Sequence, residues 1–218
     1  MKIFVDTALL EEIRALHAWG IISGVTTNPT LLAKAAATNV RDVIVQICEL
    51  VQGPVSMEVV STDAEGMVRE AREYASWHEH VVVKIPMTED GLIATRQLAA
   101  EGIKVNMTLI FNPNQALFAA LAGATFVSPF LGRIDDISWE GMDLIREIAE
   151  IFRNDPHITT QILAASIRHP RHIVEAAKAG AHIATCPPQV LRKAIKHPLT
   201  DIGLERFLAD WRKLQGQG

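Results

Sequence analysis

The stretch HVVVKIPMTEDGLIATRQLAAEGIKVNMTLI, residues 80–110, holds two apolar runs, HVVVKIP (80–86) and IKVNMTLI (103–110). A helical pattern joins them and closes in AAEG (99–102). Strand, helix with a glycine stop, then strand is the signature of a right-handed βαβ unit with parallel strands. The runs are apolar along nearly their whole length rather than alternating, which is the pattern of strands covered on both faces.

The same unit recurs on either side. KIFVD (2–6), ISGVTTN (22–28) and PVSMEVV (54–60) precede it, and ATFVSPF (124–130), TTQILAAS (159–166) and AHIATCP (181–187) follow. Helical patterns fill the gaps. Residues 7–19 align Leu10, Ile13 and Leu16, with Thr7 expected as N-cap and Gly20 as the stop. Residues 139–153 align Leu144, Ile148, Ile151 and Phe152, and LAGA (121–124) and AKAG (177–180) end helices as AAEG does. Eight such units predict a closed (β/α)8 TIM barrel, and 218 residues suit the small end of that fold. An open doubly wound sheet is the alternative, but no G-x-G-x-x-G follows the first strand. Residues 1–199 account for the barrel. Residues 200–218 are left over as an amphipathic C-terminal helix of the same domain, with Leu204, Phe207, Leu208, Trp211 and Leu214 on one stripe. That stripe needs cover, from its own barrel or from a neighbouring subunit.

Composition narrows the function. With 21 Lys+Arg against 25 Asp+Glu, the net charge of −4 gives no footprint for nucleic acid. No apolar run approaches the ~20 residues of a membrane span, and MKIFVDTALL turns acidic too soon for a signal peptide. Cys48 and Cys186 lie far apart without metal-ligand spacing, so two buried thiols in a reducing cytoplasm are expected.

Chemistry in a barrel sits at the C-terminal strand ends. The ends of the runs supply Asp6, Thr26, Asn28, Glu58, Lys84, Asn106, Thr108 and Ser128, with Arg133, Ser166 and Arg168 at or just past the sixth and seventh. The period of two places Thr26 with Asn28, Asn106 with Thr108, and Ser128 with Phe130. Simpler roles exist for several of these. Asn28 before Pro29, or Asp6 after the first strand, would serve as an N-cap, and Arg133 and Arg168 as surface residues. Lys84 with Glu58 or Asp6 would serve as a plain ion pair. None of these explains why a lysine, two carboxylates and two arginines share one rim, because buried charges are costly unless partnered or working.

That set suits amine catalysis. Desolvation favours a neutral amine, which attacks a carbonyl, and the iminium formed is an electron sink needing no metal or other cofactor. Asp6 or Glu58 would move protons, and Arg133, Ser166 and Arg168 would bind a phosphate.

FVDTA, GVTTNPTLLAK, SMEV, VVVKIPMTEDGL, VNMTLIF, VSPFLGRIDD and LAASIRHPRHI together resemble the short transaldolases, in the group shared with fructose-6-phosphate aldolases, over almost the whole chain. The resemblance implies a Schiff base on Lys84, Asp6 as acid/base at the C3–C4 bond, and Glu58 with Thr108 orienting a water. It implies that Asn28 and Asn106 hold a dihydroxyacetone unit, and that Ser128, Arg133, Ser166 and Arg168 bind hydroxyl and phosphate groups. Thr26 and Phe130 complete the residues expected at the substrate. The implied reaction transfers dihydroxyacetone between sugar phosphates in the non-oxidative pentose phosphate pathway, and the implied assembly is a pentamer or decamer. The aldolase branch carries Gln at the Glu58 position, Tyr at the Phe130 position, and lacks Asn106, so all three positions favour transfer over release of free dihydroxyacetone. A phosphate-binding barrel without catalysis is a third reading, opposed by the retention of Lys84, Asp6 and Glu58 together.

Overall fold

The computed structural model describes residues 1–35 and 39–215. Eight parallel strands close in sequence order into a barrel. They are β1 (Lys2–Asp6), β2 (Ile22–Thr26), β3 (Val55–Glu58), β4 (Val81–Pro86), β5 (Val105–Ile110), β6 (Phe126–Pro129), β7 (Gln161–Ala164) and β8 (Ile183–Cys186). The expected TIM barrel is therefore the fold. Each strand is no longer than its apolar run and most are shorter, trimmed at one end or both.

The helices that follow the strands are α1 (Leu10–His17), α3 (Val40–Val51), α4 (Ala64–Ala75), α5 (Glu89–Ala100), α6 (Pro113–Leu121), α8 (Gly141–Asn154), α9 (Pro170–Ala179) and α10 (Pro188–Ala194). Two short helices, α2 (Pro29–Lys34) and α7 (Leu131–Asp135), lie in the loops after β2 and β6. Gly20, Gly102, Gly123 and Gly180 have positive φ where the chain leaves a helix, in keeping with their places after helical runs. Thr7 does not cap α1. Its hydroxyl accepts from the Leu9 N–H, and the helix starts at Leu10 behind Leu9, which offers no side-chain cap.

The strands face two cores. Outward residues such as Val25, Val83, Met107 and Ile162 pack under the helices. Inside the barrel, Phe4, Val82, Phe126, Leu163 and Ile183 form a separate apolar plug, with Phe4 and Phe126 edge to face at 6.4 Å. Two residues further along come Asp6, Lys84, Ser128 and Thr185, while past the end of β7 that place is taken by Ala165, which packs with the plug. The period of two thus puts a polar layer directly above an apolar floor.

After the barrel, α11 (Pro198–Leu214) begins two residues before the expected boundary and buries none of its side chains. Phe207, Trp211 and Leu214 are each more than half exposed. Residues 216–218 of the expected segment lie outside the described residues. Among the described residues no helix is long and apolar enough to cross a membrane.

Candidate active site

Lys84 is the one lysine among the described residues that is buried. Strand register explains its neighbours, since Glu58 pairs with Lys84 and Lys84 with Asn106 in one row of the sheet. Lys84 Nζ lies 3.0 Å from Glu58 Oε2 and donates to the Thr27 carbonyl at 3.3 Å. The pair is closed off from most water, with side-chain exposures of 7% and 17%.

Asp6 faces the same space from β1. Its Oδ1 accepts from the Thr26 hydroxyl at 2.7 Å, and that hydroxyl lies 2.6 Å from the hydroxyl of Thr185. Asp6 therefore does not cap α1. Burial pushes its carboxyl above the usual value of 3.8; the Thr26 hydrogen bond and Lys84 pull it back, and Glu58 adds to the rise. A carboxyl that desolvation disposes to hold a proton, beside a lysine, is suited to proton transfer.

Asn106 and Thr108 are completely buried on β5. The Asn106 amide donates to Ser56 Oγ at 3.1 Å and accepts from the Ser128 hydroxyl at 2.6 Å, so it braces β3 and β6 against each other. The Thr108 hydroxyl has no hydrogen-bond partner among the described residues. Just beyond it, Leu109 takes a left-handed backbone (φ 59°) where the β5–β6 register slips.

Over the polar layer is a cavity of about 210 Å³. Asp6, Thr26, Asn28, Lys84, Ser128 and Thr185 line its depth, and Phe130, Arg133, Ser166 and Arg168 line its mouth. A neighbouring recess of about 340 Å³ shares Asn28, Lys84, Phe130 and Arg133 and adds Glu58. The barrel thus brings together ten of the twelve candidate residues around these two spaces, which share lining residues, while Asn106 and Thr108 line neither. A larger surface groove between α3 and α4, lined by Leu32, Val40, Met57 and Trp77, lies on the outside of the barrel. Its polar lining includes Asn39, Arg41, Glu73 and Glu58, but neither Lys84 nor Asp6 lines it, so size alone does not make it the reactive centre.

Asn28 has both of its foreseen roles in one place. It caps α2, accepting from the Leu31 N–H at 2.9 Å, and it lines the cavity. The arginines are exposed, as their surface reading had it, yet both reach the mouth. Arg133 lies over the Phe130 ring at 5.2 Å, and Arg168 pairs with Asp136 at 2.7 Å. Ser166 is held at φ 60°, a left-handed conformation rare for a non-glycine residue.

Three residues that contact the site's polar groups escaped the sequence reading: Ser56, which accepts from Asn106, Thr27, whose carbonyl accepts from Lys84, and Thr185, which meets Thr26. Thr185 follows Ile183 by two in AHIATCP, and Ser56 precedes Glu58 by two in PVSMEVV, so the strand period was the available signal. Cys186, next to Thr185, is a buried thiol that burial pushes up to about 12, which makes it a poor nucleophile.

A closed (β/α)8 barrel with a buried lysine, two carboxylates and arginines at its mouth is an arrangement chemically able to support amine catalysis. The model of the transaldolase/fructose-6-phosphate aldolase family matches residues 3–218, and the chain belongs to that family. It is 60% identical over 215 residues to a probable transaldolase of Roseiflexus sp. (strain RS-1), covering 99% of each chain. It is 56% identical over 223 residues to a probable transaldolase of Thermus thermophilus, covering 99% of this chain and 100% of that one. Among solved structures, a putative fructose-1,6-biphosphate aldolase from Coccidioides immitis superposes with a TM-score of 0.58 over 92% of this chain and 81% of its own, at 17% identity. That likeness concerns the fold.

Proposed function

We propose that this enzyme of the transaldolase/aldolase family is a transaldolase, moving a dihydroxyacetone unit from sedoheptulose 7-phosphate or fructose 6-phosphate to an aldose phosphate through a Schiff base on Lys84. The observation that carries the proposal is the buried Lys84 amine above an apolar floor, 3.0 Å from Glu58 and lining one cavity with Asp6.

In this reading Lys84 Nζ passes a proton to Glu58 and, as the neutral amine, attacks C2 of the ketose; the carbinolamine hydroxyl then takes a proton back from Glu58 and leaves as water, giving the iminium. Glu58, with Thr108, orients that water. Asp6 takes the proton of the C4 hydroxyl as the C3–C4 bond breaks. The electron pair moves into the iminium, giving an enamine, and the aldose phosphate departs. With an acceptor aldehyde the steps reverse: C3 attacks, Asp6 returns its proton to the new hydroxyl, and water releases the product ketose. Asn28 and Asn106 hold the dihydroxyacetone unit, with Thr26 and Ser128 beside it. Arg133, Arg168 and Ser166 take the phosphate.

Phe130 is what favours transfer over cleavage in this scheme. Its ring stands at the cavity mouth beneath Arg133 and offers no proton donor, so the enamine waits for an aldehyde. Free dihydroxyacetone release from fructose 6-phosphate and transfer onto erythrose 4-phosphate, measured side by side, test this. Transfer should dominate. Phe130→Tyr should raise release relative to transfer, and a shift of ~1.4 kcal/mol between the two barriers would change the ratio tenfold. A wild type that releases dihydroxyacetone rapidly would be an aldolase.

The enzyme is also inferred to work in the cytoplasm, in the non-oxidative pentose phosphate pathway, as a homo-oligomer of pentameric or decameric order. The support for association is α11, whose apolar stripe no other described part of the chain covers.

A further inference from the structure

The segment Ser166–Arg168, which closes the cavity mouth, is held from behind by a histidine with no part in the chemistry above. The Arg168 N–H donates to His172 Nδ1 at 3.2 Å. His172 Nε2 lies 3.1 Å from Asp135 Oδ2, and the other Asp135 oxygen accepts from the Gly141 N–H at 2.8 Å. The imidazole is 9% exposed. One state satisfies both contacts: the neutral ring with its proton on Nε2 and a lone pair on Nδ1.

Packing also fixes this segment, since Ile167 is buried in the core around the barrel. Ser166 sits at φ 60°. Gly132 of α7 approaches so closely that a β-carbon there would meet the Ser166 carbonyl oxygen at 2.0 Å and Arg168 Cγ at 2.8 Å. A strained backbone of this kind persists only where its surroundings over-determine it.

We propose that His172 is a positioning residue for phosphate binding: its Nδ1 lone pair holds the Arg168 backbone, and a proton placed there releases that hold and weakens binding of phosphorylated substrate. The proposal rests on the reading that Arg133, Ser166 and Arg168 take the phosphate. Several groups face the ring. Asp135 approaches from α7, Glu140 from the start of α8, and the His169 ring, tilted by 44°, lies 3.7 Å away at the start of α9. Glu175, on α9, is already tied to Arg171, as the Arg168 guanidinium is to Asp136. Burial first, then His169, holds the His172 pKa below its usual 6.5 against the pull of Asp135, Glu175 and Glu140. With a lowered value, the neutral form is fully present above 6.5 and is lost as pH falls through the folded-state pKa.

The test uses the full-length enzyme with fructose 6-phosphate as substrate and inorganic phosphate as competing probe, from about pH 5 to about pH 8. His172→Phe keeps the ring and removes the acceptor. At the alkaline end it should raise KM and the phosphate inhibition constant about tenfold, as expected for one buried hydrogen bond, with kcat within about twofold. The variant-to-wild-type ratio should fall toward one at the acid end; taking a ratio cancels the ionisation of phosphate itself. His172→Asn places an amide oxygen near Nδ1 and cannot titrate, so it should keep the wild-type KM at the alkaline end and exceed wild-type affinity at the acid end. An unchanged KM in His172→Phe, an equal fall in kcat, or a ratio independent of pH across a range in which nitrogen-15 spectra show the wild-type ring taking up its second proton would overturn the proposal. Should His172→Phe not fold, nitrogen-15 spectra of the wild-type ring decide: a proton on Nδ1 at neutral pH would overturn it equally. Arg168→Ala separates the two levels. If it leaves KM and the phosphate constant unchanged, the phosphate reading itself fails. If it raises both and His172→Phe raises neither, only the role of His172 fails.

Discussion

Glu58 Oε2 stands 3.0 Å from Lys84 Nζ, on the adjacent strand and in the same row of the barrel. The two charges are partly desolvated together, so each makes the presence of the other tolerable. Removing one member of a buried pair leaves an uncompensated charge and typically costs about 3–5 kcal/mol. Glu58→Ala should therefore lower stability by an amount in that range, and Glu58→Gln, which keeps the volume but removes the charge, should lower it nearly as much. Denaturant unfolding of the two variants checks this. A small loss in Glu58→Gln beside a large one in Glu58→Ala would mean that the pair contributes packing rather than charge.

Asp6 carries a linked prediction about pH. Its carboxyl titrates above 3.8 in the folded protein, chiefly because it is buried. Between that value and the raised one, the native state keeps a proton the unfolded chain has lost, so stability falls as pH rises through the window and stays lower above it. Asp6→Asn removes this slope, with an amide oxygen still able to accept from Thr26. The variant should melt higher than wild type at neutral pH, and the gap should close at the acid end. Its kcat should fall by about 10²–10⁴, the usual contribution of a positioned acid/base. Retained activity would remove Asp6 from proton transfer.

Much of this was legible in the chain. Eight apolar runs separated by amphipathic helices led to the barrel, and the ends of those runs led to Asp6, Glu58 and Lys84, because a strand's period of two is a local property. What escaped depends on closure. Thr26 meets Thr185 only because β1 sits between β2 and β8, which brings together residues 159 positions apart. The bond from Arg168 to His172 joins a loop to the first turn of a helix, and a histidine one turn into an amphipathic helix carries no signal of its own. Leu109 carried none either: its left-handed backbone answers to the register slip between β5 and β6, not to the identity of leucine. Thr7 had the residue type of a cap, but the strand-to-helix turn runs two residues further than the pattern indicated.

Arg133 and Arg168 flank the cavity mouth from the segments after β6 and β7. Each charge-assisted contact with a phosphate should be worth about 1.5–3 kcal/mol of binding. Arg133→Ala and Arg168→Ala should each weaken fructose 6-phosphate by a corresponding factor while leaving an unphosphorylated ketose nearly unaffected. Inhibition and turnover compared on the two substrates read the difference. Equal losses on both would make the arginines general architecture of the mouth.

The stripe Leu204, Phe207, Leu208, Trp211 and Leu214 on α11 is exposed along its whole length. In water such a surface seeks a partner. Truncation after Leu199 should lower the mass found by light scattering and leave the barrel's helical signal largely in place. An unchanged mass would place the subunit contacts elsewhere.

The central claim is that Lys84 bonds covalently to the substrate. Borohydride reduction of the enzyme mixed with fructose 6-phosphate, followed by peptide mass mapping, tests it directly. A dihydroxyacetone-derived mass on the peptide containing Lys84, absent without substrate and absent in a folded Lys84→Arg variant, is the predicted result. Label on a different lysine, no label at all, or label retained in Lys84→Arg would contradict it.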